Sequence, residues 1–276
     1  MYRIAHFSDL HLSAVDSHFG STLNLIDDAI ENEVDHIVIS GDLVNSQEMD
    51  VLQSFMRRLA QRGWTSAEKL TIVPGNHDFY PDHRHFSGEW KSILELGFTH
   101  PQKVYERFNR HVKKTCTGKR SDTFFDGCLF PFGKKLAPHV VLVGFDTTRN
   151  GVRYPLLWAT GEIQKEDVNE ARSFFRQHRT AKHKIVVIHH RPYNTVFHGE
   201  FVGPVDGNFV APNKATARRW LLGTGATLVL CGHDHKTETK LMGENCRMVC
   251  SGETGEKGVY HLIDLPEKGK AKVTRR

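Results

Sequence analysis

Apolar positions in the first part of the chain follow two alternating rhythms. Short runs at residues 3–7, 36–40 and 70–73 are rich in β-branched side chains and predict strands. Between them, Leu23, Ile26 and Ile30 fall at helical spacing, and Val51, Leu52, Phe55, Met56 and Leu59 make the apolar face of a second helix. The three runs stop at Ser8-Asp9, Gly41-Asp42 and Pro74-Gly75, where polar and turn-forming residues take over. The order βαβαβ predicts a sheet of parallel character.

The second half repeats the rhythm less regularly. Residues 140–145, 184–188 and 227–231 predict strands, with helices marked by Val168, Ala171, Phe174 and Phe175 and by residues 215–222. Short alternating segments around Gly243-Glu244-Asn245 in the last part of the chain predict antiparallel strands. Between residues 79 and 126 the pattern lapses, with short helices expected at 89–96 and 104–113. This stretch reads as an insertion packed over one edge, so residues 1–276 are expected to form a single α/β domain with an insertion at 79–126.

The polar residues that end the strand-like runs fall into five clusters. They are Asp9-Leu10-His11, Gly41-Asp42, Gly75-Asn76-His77-Asp78, His189-His190 and Gly232-His233-Asp234-His235. Loops beyond the carboxyl ends of parallel strands converge on one crevice, so clusters far apart in sequence can meet. Asp9, His11, Asp42, Asn76, His189, His233 and His235 offer carboxylate, amide and imidazole donors and no thiolate. That set suits manganese, iron, zinc or cobalt better than calcium. Seven donors exceed one tetrahedral site and suffice for two ions sharing a carboxylate. On an extended backbone, the i and i+2 spacing of Asp9/His11 and His233/His235 would let each pair reach into one site or straddle two adjacent ions. Gly41, Gly75 and Gly232 are expected to let the chain turn sharply where strands stop.

The net charge of +5 is mild and scattered, which suits an anionic substrate and disfavours nucleic acid as a partner. The five cysteines form no CxxC pair and read as reduced thiols of a cytoplasmic protein. The first residues lack the apolar core of a signal peptide, and no apolar run is long enough to cross a bilayer. Peripheral contact with a membrane surface stays open.

The ordered set D-x-H, G-D, G-N-H-D, H-H and G-H-x-H resembles the calcineurin-like metallophosphoesterase superfamily, in its bacterial-type phosphodiesterase and phosphohydrolase branch. The resemblance implies a four-layer αββα sandwich. It implies that Asp9, His11 and His235 hold one metal, that Asn76, His189 and His233 hold the other, and that Asp42 bridges. His190 is the alternative to His189. The family's catalytic histidine maps onto His77, which would stabilise the transition state or protonate the leaving oxygen after in-line attack by a hydroxide shared by the metals. Asp78 reads either as orienting an imidazole or as a loop cap, and Arg191 as a phosphate clamp or a packing residue. Asp146 is expected to bond nearby backbone, and His6 to be a satisfied core residue.

The expected activity is hydrolysis of a phosphodiester or pyrophosphate bond of a small molecule. Leu43-Val44-Asn45 follow Asp42 where the Ser/Thr phosphatases of this superfamily carry arginine, so fewer groups are present to hold a dianionic monoester. Phe86, Trp90, Phe98, Phe108, Phe124 and Phe125, with nearby lysines, are expected either to wall a substrate pocket or to pack the insertion. The competing readings are a phosphomonoesterase, a nuclease, and an inactive scaffold of the same fold.

Overall fold

The computed structural model describes residues 1–14, 18–45, 47–79, 101–125, 127–149, 160–192, 213–252 and 254–276. Two sheets stack face to face. The first has the order β12 (Lys272–Arg275), β11 (His261–Leu265), β1 (Tyr2–Phe7), β2 (His36–Ser40), β3 (Leu70–Val73). β1, β2 and β3 run parallel, and β11 is antiparallel to both of its neighbours. The second sheet has the order β4 (Ser121–Thr123), β5 (Phe132–Ala137), β6 (Val140–Gly144), β7 (His183–Val187), β8 (Leu228–Cys231), β10 (Arg247–Ser251), β9 (Thr237–Leu241). Its centre, β6-β7-β8-β10, is parallel and both edges are antiparallel.

The period of two along each strand sorts side chains into two cores. Val140, Leu142, Ile185, Val187, Leu228, Leu230 and Val249 face inward and join the first sheet in one apolar cluster. Val141, Val143, Val186, Ile188, Val229 and Met248 face outward. That outer face is covered by α4 (Lys165–Gln177), through Val168, Ala171, Phe174 and Phe175, and by α5 (Asn213–Gly223), through Ala217 and Leu221. α1 (His18–Glu31) and α2 (Met49–Gln61) cover the first sheet with Ile26, Ala29, Leu52, Phe55 and Leu59. The result is the four-layer αββα sandwich. Both faces of its central strands are buried, which is why they read as unbroken apolar runs.

Three features depart from the sequence reading. The chain adds a β4–β5 hairpin at the edge of the second sheet. Its signal is hidden because β5 reads Phe-Gly-Lys-Lys-Leu-Ala, with a lysine at an inward position. Lys134 is buried there, and its ammonium donates to the Leu70 carbonyl (2.7 Å), the Thr71 hydroxyl (2.9 Å) and the Thr115 carbonyl. β10 is antiparallel to β9, as expected, yet also pairs in parallel with β8.

The third departure concerns the stretch after residue 79. The expected helix at 89–96 lies outside the described residues, as do Phe86, Trp90 and Phe98, whereas α3 (Pro101–Cys116) extends the helix expected at 104–113. Phe108 is fully buried against Phe79, 5.3 Å between ring centroids, and Phe124 tilts onto Phe174 at 5.7 Å. These two aromatics pack against other aromatics of the protein. Among the described residues, no helix is long and apolar enough to cross a membrane, and Cys116, Cys128, Cys231, Cys246 and Cys250 are all free thiols.

Candidate metal centre

The five polar clusters meet at the carboxyl ends of β1, β2, β3, β7 and β8. The first two are laced by backbone bonds: Asp9 N–H to the Gly41 carbonyl and His11 N–H to the Asp42 carbonyl, each 3.1 Å. Asp9, His11, Asp42, Asn76 and His189 are buried, while His77, His233 and His235 are partly exposed.

The side-chain donors fall into two groups. In one, His11 Nε2 and His235 Nε2 stand 3.1 Å apart, with Asp9 Oδ1 3.7 Å from His235 Nε2. In the other, Asn76 Oδ1 is 3.0 Å from both His189 Nε2 and His233 Nδ1, which are 3.3 Å from each other. Asp42 lies between them, its Oδ2 3.3 Å from His189 Nε2 and 4.0 Å from His11 Nε2. Donors bound at about 2.0–2.2 Å around one cation lie about 3.0–3.5 Å apart. The spacing within each group therefore suits a shared ion, and the donor chemistry fits the expected transition metals. Hydrogen bonds orient the ligands from behind, as metal-binding side chains require. His189 Nδ1 donates to the Ser40 carbonyl (2.9 Å), which leaves Nε2 for the cage, and Asp42 Oδ1 accepts the His77 N–H (2.8 Å).

The expected extended backbone is not what aims these side chains. Asp9 (φ 54°), His11 (φ 45°), Asp42 (φ 50°), His233 (φ 75°) and His235 (φ 51°) all adopt the left-handed conformation. Asp and His tolerate it better than most residues, and such concentrated strain is a mark of functional sites. The glycines also act differently from expectation. Gly41 has a positive φ of 96°, but Gly75 and Gly232 do not. They are needed because a Cβ at Gly75 would lie 2.1 Å from Asp42 Oδ1, and one at Gly232 would lie 1.8 Å from Ser8 Oγ and 2.4 Å from Asp9 Oδ2.

The profile of the calcineurin-like phosphoesterase family matches residues 2–237. The chain belongs to this family. It is a metal-dependent phosphoesterase. A dimetal phosphatase from Danio rerio is similar in structure, with a TM-score of 0.60 and 12% identity over 99% of this chain and 98% of that one. The Thermus thermophilus sulfate thiohydrolase SoxB is similar too, with a TM-score of 0.54 and 13% identity over 100% of this chain and 56% of that one. At such identities the likeness speaks for the fold alone. No curated protein is a significant sequence match.

Charge in the phosphoesterase centre is tightly balanced. Burial works against ionisation of Asp42, but His189, His77 and His11 hold its carboxyl well below the ordinary range. Burial and the Asp42 charge leave Asp9 raised. Burial would lower His189, yet Asp42 and Asp9 outweigh it and bring the imidazole to about 9, while burial and His189 push His233 down to about 3.

The neighbouring residues sort clearly. His190 Nδ1 is 2.8 Å from the Thr147 hydroxyl, whereas His189 Nε2 stands 3.0 Å from Asn76 Oδ1 and 3.3 Å from Asp42 Oδ2, which favours His189 as the candidate ligand. Asp78 is buried and caps loops: Oδ1 accepts from Leu43 N (2.9 Å) and Val44 N (3.1 Å), and Oδ2 from Gly75 N (2.8 Å). Arg191 donates to Asp234 at 2.8 Å and to Glu238. Asp146 binds the Thr148 N–H (2.8 Å) and accepts from Tyr105 Oη (2.8 Å). His6 is buried with Nε2 2.9 Å from Ser40 Oγ. Sequence reasoning missed Ser40 and Thr147, which orient the two histidines. One acts through a backbone carbonyl and the other is a lone hydroxyl, and neither leaves a signature in sequence.

Proposed function

We propose that this phosphoesterase cleaves a phosphodiester or pyrophosphate bond of a small molecule, using two divalent ions. Asp9, His11 and His235 would hold one ion, Asn76, His189 and His233 the other, and Asp42 would serve both. The observation that carries the reading is the position of Asp42 Oδ2 between two separate donor groups. When bound, a metal pair neutralises phosphoryl oxygens and makes water acidic enough to be a nucleophile near neutral pH.

His77 is assigned the proton of the leaving oxygen. Its Nδ1 is 3.2 Å from the Asn45 carbonyl, which fixes the ring, and the ring stands perpendicular to His11 at 4.9 Å. Imidazole suits that task at neutral pH. The preference for diesters rests on charge. Leu43 and Val44 beside Asp42 are buried and apolar, and Arg191 is engaged by Asp234 and Glu238. Among the described residues, the scissile phosphate would thus be met by metals and imidazoles with no guanidinium assigned to it, which suits a monoanionic phosphate better than a dianion.

A comparison of bis(p-nitrophenyl) phosphate with p-nitrophenyl phosphate and phosphoserine, in manganese and then in chelator, tests this reading. The diester is expected to turn over faster, and chelation to abolish activity. Faster hydrolysis of both monoesters than of every diester and pyrophosphate tried overturns it.

A further inference from the structure

A cavity of about 540 Å3 opens beside the cage, lined by His235, Arg191, Lys236, Glu238, Lys257 and Arg275. Its size is that of a small-molecule site, roughly 300–1,000 Å3. His235 forms the wall it shares with the cage, where His235 Nε2 meets His11 Nε2 at 3.1 Å. The lining holds four cationic residues and one carboxylate. Arg191 pairs with Glu238 and with Asp234 beside it, so these three together carry one negative charge. Lys236, Lys257 and Arg275 remain, and among the described residues none of them forms an ion pair with a carboxylate.

The backbone of the fold sets where two of these cations stand. Lys257 closes the short helix α6 (Thr254–Lys257), and its ammonium donates to the His235 carbonyl. That helix is docked on the first metal loop: Thr254 N donates to the Ser8 carbonyl (3.0 Å) and Gly255 N to the Asp9 carbonyl (3.3 Å). A Cβ at Gly255 would lie 2.2 Å from the Leu10 carbonyl oxygen, so only glycine lets α6 approach so closely. Arg275 sits on β12 opposite His261, and Arg276 and Tyr260 exchange backbone bonds at 2.9 and 3.2 Å just beyond. Lys257 and Arg275 both lie past residue 237, where the family match ends.

We propose that this cavity is an oxyanion subsite that binds a second phosphate on the substrate, carried by the part of the molecule away from the scissile bond. The proposal rests on the diester and pyrophosphate reading above and narrows it to substrates with another phosphate beyond the bond cleaved. It also accounts for the arrangement of charge: metals would serve the scissile phosphate, and the Lys257 ammonium and Arg275 guanidinium the second one.

The test uses binding and turnover on matched compounds. Calorimetry on the manganese-loaded protein compares thymidine monophosphate with thymidine bearing phosphate on both hydroxyls. The bisphosphate is expected to bind about tenfold tighter or more. That ratio should fall toward one in Arg275→Gln, and further in the Lys257→Gln/Arg275→Gln pair, while binding of the monophosphate reports whether each variant is intact. Equal affinity for the two ligands in the native protein, or a ratio that the variants leave unchanged, overturns the subsite. Turnover of the corresponding p-nitrophenyl thymidine diesters, with and without the second phosphate, separates the two ideas. If neither ester is cleaved while p-nitrophenyl phosphate is, the diester reading fails and the binding ratio still judges the subsite. If the plain diester is cleaved and its phosphorylated twin no better, the subsite fails alone.

Discussion

At the shared edge of the two sheets, β1, β2 and β3 lead into Asp9, Asp42 and Asn76, whereas β7 and β8 lead into His189 and His233. The first sheet contributes every oxygen donor and the second contributes imidazole. His11 and His77 are the imidazoles that come from the first sheet, and each stands next to an oxygen donor, His11 beside Asp42 and His77 beside Asn76. Neither sheet holds a complete donor set for either group. The contacts that complete the groups cross the seam: Asn76 Oδ1 to His189 and His233 (3.0 Å each), and His233 N–H to both Asp9 oxygens (3.1 Å). Docking of the sheets and assembly of the site are therefore one event, and the inward-facing apolar residues drive both.

The sharpest way to break this comparison is to remove the carboxylate that faces both groups. Asp42→Ala strips the charge that offsets two neighbouring cations. It is expected to lose both metals and all measurable turnover, whereas His235→Ala should weaken one site chiefly. Metal analysis of the purified variants checks this, and full occupancy of both sites in Asp42→Ala would refute the bridging role.

The next effect separates chemistry from metal retention within the first sheet. His77→Ala is expected to lower turnover by roughly 10²–10⁴-fold, the usual yield of a general acid or base. Its metal content should match the native protein. Emptied sites, or normal turnover, would move His77 out of the proton-transfer role.

How much of this was legible beforehand divides along the same seam. The parallel strands of both sheets, β10 excepted, were readable because burial on both faces leaves continuous apolar runs ended by turn residues. The convergence of the polar clusters was readable because each one ends a parallel strand at the same end of its sheet. The edge hairpin was not, since Lys134 breaks the apolar pattern of β5 and its acceptors, the Leu70 and Thr115 carbonyls, come from β3 and α3. The left-handed backbone at Asp9, His11, Asp42, His233 and His235 was not either, because spacing alone cannot tell an extended pair from a strained one. The cations of the side cavity escaped for a third reason. Lys257 and Arg275 lie among basic residues of an ordinary-looking tail, and only the pairing of β12 with β11 brings Arg275 to the site.

A smaller effect probes the seam itself. Gly232 follows β8 of the second sheet and touches Ser8 and Asp9 of the first. Gly232→Ala forces those atoms apart, and overpacking of this kind costs about 1–3 kcal/mol. Because one contact is the Asp9 carboxylate, metal affinity should fall along with stability. Gly63→Ala at a surface turn, with open space around its Cβ position and φ of 74°, is the control for backbone strain without a seam contact. Denaturation midpoints and metal titrations of the two variants distinguish them: a Gly63→Ala protein that loses metal affinity equally would show that the seam contact is not what matters.

The mildest effect lies at the far end of the first sheet, away from the metals. His36, at the start of β2, is buried, with Nδ1 2.9 Å from the Glu68 carbonyl and Nε2 2.8 Å from the Thr71 hydroxyl. Lys134 already donates to that hydroxyl oxygen at 2.9 Å, so the Thr71 proton points to His36 Nε2, which must be unprotonated to accept it. Burial, reinforced by the Lys134 charge, accordingly lowers the imidazole from 6.5 to about 3. The unfolded chain then binds the extra proton between those values, so stability is fully present above about 6.5 and drains away as pH falls toward about 3. By that linkage, His36 makes the native protein about 2 kcal/mol less stable at about pH 5 than at neutrality. His36→Gln keeps a donor and an acceptor but has no proton to gain. Its stability deficit relative to the native protein should therefore shrink by that amount on acidification. Urea denaturation of both proteins at several pH values in chelator, which keeps metal ligands out of the comparison between pH values, measures the difference. A deficit that stays constant from neutrality down to about pH 5 would mean that His36 does not titrate as the Thr71–Lys134 chain requires.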